Sequence, residues 1–195
     1  MYRIFGTPIY EDRILLHPDE YDELVNEVTF FETSAPKDWL CNVNTSYEFH
    51  TKLHNLPEFM MLASMINDRA MEFAKSINFQ FSKFNLKMKD MWFNSYTENQ
   101  SQEKHSHGRN FLSCSYMLTA PQGCADLVFF NPMHEGLVSY PTESEIGLNL
   151  YTVKSETGKL VIFPGWLEHG VKLNNTKEPR ITFSCNWFYD EKSGE

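Results

Sequence analysis

Hydrophobic and polar positions alternate along this chain in two rhythms. Up to about residue 83 the apolar residues recur at helical spacing in two segments. In "HPDEYDELVNEVTFFE", Pro18 stands where a helix opens, acidic residues fill the first turn, and Leu24, Val25 and Val28 share one side. "LPEFMMLASMINDRAMEFAKSI" repeats the arrangement. Pro57 opens it, and Met60, Leu62, Met65, Ile66 and Met71 are expected to form one broad apolar face that fills the core. Between them, "TSAPKDWLCNVNTSYEFHTKLHN" keeps neither period. It holds His50 and His54 and reads as a solvated loop.

From Phe84 onward the period becomes two. "FNLKMKDMWFNSYT", "NFLSCSYMLT", "ADLVFFN", "LNLYTV", "KLVIFP" and "RITFSCNWFY" are short runs of β-branched and aromatic residues separated by Gly, Pro, Asn and Ser. Strands in series behind two helices predict a mainly β fold with flanking α-helices, a sandwich or jelly roll with the helices against one sheet. With 195 residues and no repeat or linker, the chain is expected to form one domain, with supporting helices in 1–83 and a β core in 84–190.

Composition narrows the functional classes. Sixteen Phe, nine Tyr, nine Met and four Trp imply a tight interior and an aromatic-lined pocket. A formal net charge of -9 argues against a protein that grips nucleic acid by its phosphates. No apolar run is long enough to cross a membrane, and "MYRIFGTPIYEDRIL" has no signal-peptide core, so the cytoplasm is the expected address. The four cysteines, Cys41, Cys114, Cys124 and Cys185, form no CxxC pair; Cys114 and Cys185 lie in strand-like runs and read as buried thiols.

Candidate chemistry is confined to the β half. His105 and His107, at i and i+2, point to the same face if extended, so two imidazoles can approach one ion. By themselves they read better as part of the polar turn "ENQSQEKHSHGRN" than as a metal site. His169 follows "GKLVIFPGWLEH", and Arg180 opens the next strand. A neutral imidazole and a guanidinium so placed suit a divalent metal together with a small dicarboxylate. In "RITFSCNWF", Arg180, Thr182, Ser184 and Asn186 alternate with Ile181, Phe183, Cys185 and Trp187, a pattern that fits a pocket wall or a solvent-facing edge.

In order and spacing, "WFN", "HSHGRNFLSCSYML", "GKLVIFPGWLEHGV" and "RITFSCNWF" resemble the Fe(II)- and 2-oxoglutarate-dependent oxygenases, in particular the compact prolyl-hydroxylase-like group found in bacteria and phages. The resemblance runs from about Trp92 to Phe188, and "RIFGTPIY" looks like that group's N-terminal strand. It implies a double-stranded β-helix, a cupin-like barrel with Fe(II) at one mouth and 2-oxoglutarate and O2 as cosubstrates. It further implies hydroxylation of a peptide side chain or small molecule, with release of succinate and CO2. His105 falls on the first metal ligand and His169 on the distal one. Arg180 falls on the residue that pairs with the outer carboxylate of 2-oxoglutarate, with Thr182, Tyr116 and Asn94 as further cosubstrate contacts.

His107 departs from the pattern, because it stands where a carboxylate ligand is usual. Either His107 binds the metal as a third imidazole, or Asp126, opening "ADLVFFN", supplies the carboxylate. Two rival readings remain. A cupin shares the His-x-His pair, but its following glutamate would fall on Phe111 or Leu112. A non-catalytic jelly-roll interaction protein would leave the histidines incidental. "NPMHEGLVSYPTESEIGLN", with His134 as a surface or substrate contact, and "TSAPKDWLCNVNTSYEFH" are expected to rim the pocket.

Overall fold

Both predicted helices are present in a computed structural model that describes residues 6–132 and 149–192. Helix α1 (Pro18–Phe30) begins with the His17 backbone N–H donating to the Glu20 carboxylate at 2.8 Å, which satisfies a donor the helix itself cannot. It buries Leu24 and Val28. Helix α2 (Pro57–Ser76) buries Phe59, Leu62, Ala63, Ile66, Ala70, Phe73 and Ala74. That stripe corrects the expected one. Met60 is 55% exposed, because one residue past Phe59 is a rotation of about 100° off the buried line. Met65 and Met71 pack only at its margins.

All six predicted strands form, and four short ones join them. In chain order they are β1 (Tyr10–Arg13), β2 (Asn44–Thr45), β3 (Phe84–Tyr96), β4 (Gln102–His105), β5 (Leu112–Thr119), β6 (Leu127–Phe130), β7 (Leu150–Val153), β8 (Lys159–Pro164), β9 (His169–Val171) and β10 (Arg180–Glu191). They make two antiparallel sheets, one ordered β1-β8-β5-β10-β3-β2 and the other β4-β9-β6-β7. The result is a double-stranded β-helix, a jelly roll with both helices on the outside of the larger sheet.

Period two sorts the larger sheet into two cores. Leu112, Cys114, Tyr116 and Leu118 of β5 and Ile181, Phe183, Cys185 and Trp187 of β10 face the helices. Trp187 Nε1 donates to Asn67 Oδ1 at 3.0 Å, which ties α2 to β10. The opposite faces meet the smaller sheet in a second cluster that includes Met117, Val161 and Phe163 from one side and Leu127, Phe129 and Val171 from the other. Cys114 and Cys185 are free, buried and directly opposite one another on β5 and β10. Among the described residues no helix is long and apolar enough to cross a membrane.

Candidate metal centre

Two of the four short strands that hydrophobic pattern does not reveal, β4 and β9, carry His105 and His169. β4 pairs with β9 so that His105 lies directly opposite His169, and cross-strand partners share a face. His107 lies just past the end of β4, where its backbone N–H donates to Gly165 O at 2.8 Å. Gly165 admits no side chain, since a Cβ there would come within 2.2 Å of Asn110 O. This close approach fixes the turn that leads into His169 against the turn that carries His107.

Ring centroids are 4.4 Å apart for His105 and His169, 5.0 Å for His107 and His169, and 5.4 Å for His105 and His107. One nitrogen from each ring lies within 4.8 Å of the others, among the described residues the one such group of three metal-ligating side chains. Each Nδ1 is already engaged. His105 bonds Glu103 O at 2.9 Å, His169 bonds Leu167 O at 2.9 Å, and His107 bonds Asn186 Oδ1 at 2.7 Å. An oxygen acceptor at Nδ1 places the ring proton there and leaves Nε2 as a lone-pair donor. Three imidazoles gathered in this way are a donor set suited to a borderline divalent ion.

Burial keeps the His107 and His169 rings neutral. It lowers the His107 pKa to about 4, with nearby His105 adding to the effect, and pushes that of His169 well below its ordinary value for the same reasons. Both groups bind a proton more weakly folded than unfolded, so protonation favours unfolding. Stability is full above the unfolded value of 6.5 and is lost as pH falls from there toward about 4. The metal-free protein is therefore expected to lose about 2 kcal/mol at His107 between pH 7 and pH 5, with His169 acting in the same direction. Urea unfolding at the two pH values measures it; equal midpoints would mean that these rings are not buried neutral.

The inner wall beside the histidines is the polar face of β10. Arg180, Thr182, Ser184 and Asn186 are all buried, because β10 lies between β5 and β3 in the larger sheet. The solvent-facing edge that the alternation also allowed is thus excluded. Arg180 is fully buried, and among the described residues no carboxylate forms an ion pair with it. Its Nε donates to Ser155 Oγ at 3.1 Å, its guanidinium lies 5.1 Å from the Tyr96 ring, and Nη1 and Nη2 have no acceptor. A buried cation with an open fork is costly unless an anion completes it.

Thr182 and Asn94 are cross-strand partners and line the same cavity as the three histidines. Asn94 Nδ2 contacts Ser184 Oγ at 3.2 Å while its Oδ1 is unpartnered; a hydroxyl can donate or accept, so the amide can present either end to a ligand. Tyr116 is not brought to this cavity. It shares a face with Leu112, Cys114 and Leu118, and its hydroxyl donates to Ile14 O at 3.1 Å in the helix-side core. Asp126 is also apart from the histidine group, with its carboxylate held by Lys154 at 2.7 Å and by the Ser155 N–H at 3.1 Å. Phe111 and Leu112, where a cupin would carry its glutamate, belong to the helix-side core. His50 is exposed against Phe31, and His134 lies outside the described residues.

Sequence reading passed over Trp92, Tyr96, Ser113 and Asn186 as site residues. Trp92 and Tyr96 stand at i−2 and i+2 from Asn94 on β3, so period two places them on its face. Trp92 stacks on His107 at 5.6 Å, and its buried Nε1–H has no acceptor. Outward, the cavity opens into a mouth of about 360 Å³ walled by Trp39, Tyr47 and Trp92, with Glu103, Ser106, Asn110 and Asn186 at its polar side. Trp39 and Tyr47 come from the irregular segment expected to rim the pocket.

The chain has been compared with known proteins. The family described as "Putative 2OG-Fe(II) oxygenase" matches residues 90–186, which run from β3 to Asn186. No curated protein matches the sequence. Among solved structures, a prolyl-4-hydroxylase from Pseudomonas putida is similar with a TM-score of 0.64 at 13% identity, over 96% of this chain and 94% of its own. HygX from Streptomyces hygroscopicus, with nickel, 2-oxoglutarate and hygromycin B bound, gives 0.63 at 13% identity over 93% and 82%. The viral collagen prolyl hydroxylase of Paramecium bursaria Chlorella virus-1, a 2-oxoglutarate complex, gives 0.59 at 15% identity over 93% and 96%. At such identities the likeness to these structures is one of fold.

Proposed function

We propose that the chain is an Fe(II)- and 2-oxoglutarate-dependent oxygenase in which His105, His107 and His169 hold the iron while Arg180 anchors the cosubstrate. The observation that carries this reading is the buried guanidinium of Arg180, whose Nη1 and Nη2 have no acceptor among the described residues, in the same barrel as three gathered imidazoles. Neither a cupin nor a non-catalytic jelly roll calls for that combination.

Iron bound there would supply the one-electron chemistry that couples O2 to oxidation of 2-oxoglutarate and substrate. The chain supplies binding, orientation and dryness. Three protein ligands leave positions for the 2-oxo acid end of the cosubstrate. With imidazole ligands in place of a carboxylate, an Fe(II) ion would keep more of its charge, and dianionic 2-oxoglutarate would be shared between the ion and the Arg180 guanidinium. The open Nη1 and Nη2 of Arg180 would hold the far carboxylate, with Thr182 and Asn94 as further polar contacts. The Trp92 indole N–H is a further donor awaiting an oxygen. Phe129, Phe163, Leu127 and Val171 exclude water on the other side.

The substrate class that fits is a peptide side chain or a small molecule, hydroxylated at the aromatic mouth. A mouth of about 360 Å³ suits a side chain rather than a polymer, and the formal charge of -9 disfavours a nucleic acid. The solved relatives include prolyl hydroxylases and a hygromycin B complex, which span these two classes.

Anaerobic addition of Fe(II) and then 2-oxoglutarate tests the reading. A visible metal-to-ligand charge-transfer band is expected only when both are present. Folded, Fe(II)-loaded protein that gives no band with 2-oxoglutarate would refute it.

A further inference from the structure

His105 and His169 are oriented by backbone carbonyls, which no substitution removes. His107 is oriented by a side chain instead. Its Nδ1 lies 2.7 Å from Asn186 Oδ1, and the same oxygen accepts from Ser113 Oγ at 2.5 Å. Ser113 and Asn186 are direct cross-strand partners on β5 and β10, and both are buried. On its other side, the register of β10 with β3 shifts between Asn186 and Trp187. Irregularities of this kind re-aim the side chains beside them.

An amide oxygen accepts and never donates, so His107 must carry its proton on Nδ1. In water a neutral imidazole favours the opposite tautomer, with the proton on Nε2. That proton would occupy the position a metal needs. With both lone-pair directions of Oδ1 taken, the Asn186 amide is also held against rotation. A carboxylate at position 107 would find no donor in that oxygen, so the pocket is built for an imidazole.

We propose that Asn186, braced by Ser113, is the positioning residue that makes His107 a metal ligand, by holding its ring in the Nδ1–H form. The inference rests on the three-histidine reading above. An apolar residue at 186 strands both the His107 Nδ1–H and the Ser113 hydroxyl. An aspartate keeps the acceptor and the geometry.

Long-range 1H–15N correlation of the histidine rings in the metal-free protein reads the tautomer directly. Wild type and Asn186→Asp should show His107 as Nδ1–H. Asn186→Leu should shift it toward Nε2–H while leaving His105 and His169 unchanged, and should weaken Co(II) binding by about 10- to 100-fold, the usual worth of such a partner. Ser113→Ala is a milder second variant, expected to broaden the His107 signals and weaken Co(II) binding by a few-fold. Unchanged His107 tautomer and Co(II) affinity in Asn186→Leu would overturn the inference while leaving the ligand set standing. A Zn(II) titration of wild type that shifts the His105 and His169 rings but not His107 would overturn the ligand set itself, and this inference with it.

Discussion

Replacing His169 with alanine is expected to weaken Fe(II) or Co(II) binding by about a hundredfold or more and to abolish turnover. Partners that merely orient a ligand are worth about 10- to 100-fold, so loss of the ligand itself should exceed that. His169 is 6% exposed, faces His105 across the β4–β9 pair, and has its ring centroid 4.6 Å from that of Phe163 in an edge-to-face contact. Truncation opens a small apolar gap at the cost of about 1–2 kcal/mol, which circular dichroism and urea unfolding would register without loss of the fold. His50→Ala, at an exposed ring outside the cluster, should bind metal as the parent does. Metal titrations of the two variants decide the matter, and equal affinity would remove His169 from the site.

Arg180→Met should separate function from stability. With the fork gone, 2-oxoglutarate binding should fall by about a hundredfold or more, since each charge-assisted hydrogen bond contributes about 1.5–3 kcal/mol. Metal affinity should change by a few-fold at most. The metal-free variant should be as stable as the parent or more so, because Arg180 is a fully buried cation whose Nη1 and Nη2 have no partner. Titration of the charge-transfer band reports the first effect and thermal unfolding without ligand the third. A variant that loses metal and cosubstrate binding equally, and melts earlier, would make the guanidinium a structural element. Arg180→Lys, which keeps the charge but not the fork, should fall between.

Much of the larger sheet was legible because its strands bury one or both faces and therefore advertise a period. Helix α2 was legible in extent, but its stripe was drawn through methionines when Phe59, Ala63 and Ala70 carry it. Alanines and a helix-opening Phe are weaker signals than a run of Met, yet the rotation per residue decides. The polar alternation of β10 was visible, but whether it faced solvent or a cavity depended on β10 being central, which no local pattern reveals.

The site was legible in pieces. His105, His169 and Arg180 were singled out by type and order, whereas strands β4 and β9 were not, since "QEKH" and "HGV" hold too few apolar residues to show any period. Tyr116 was misplaced for a reason the sequence did contain: it shares parity with Leu112 and Cys114, not with Ser113 and Ser115. The same parity, applied from Asn94, would have found Trp92 and Tyr96. Asn186 could not be singled out, because its role depends on a ring that reaches it from far along the chain.

The pairing of His105 with His169 bears on how the smaller sheet chooses its alignment. Two short strands with little apolar content specify their register weakly, and a slip by one residue would turn each imidazole to the opposite face. An ion bound by both rings would be compatible with one alignment alone. In this barrel the cofactor would then do for β4 and β9 what hydrophobic burial does for β5 and β10, so that occupancy and correct strand registration become the same event.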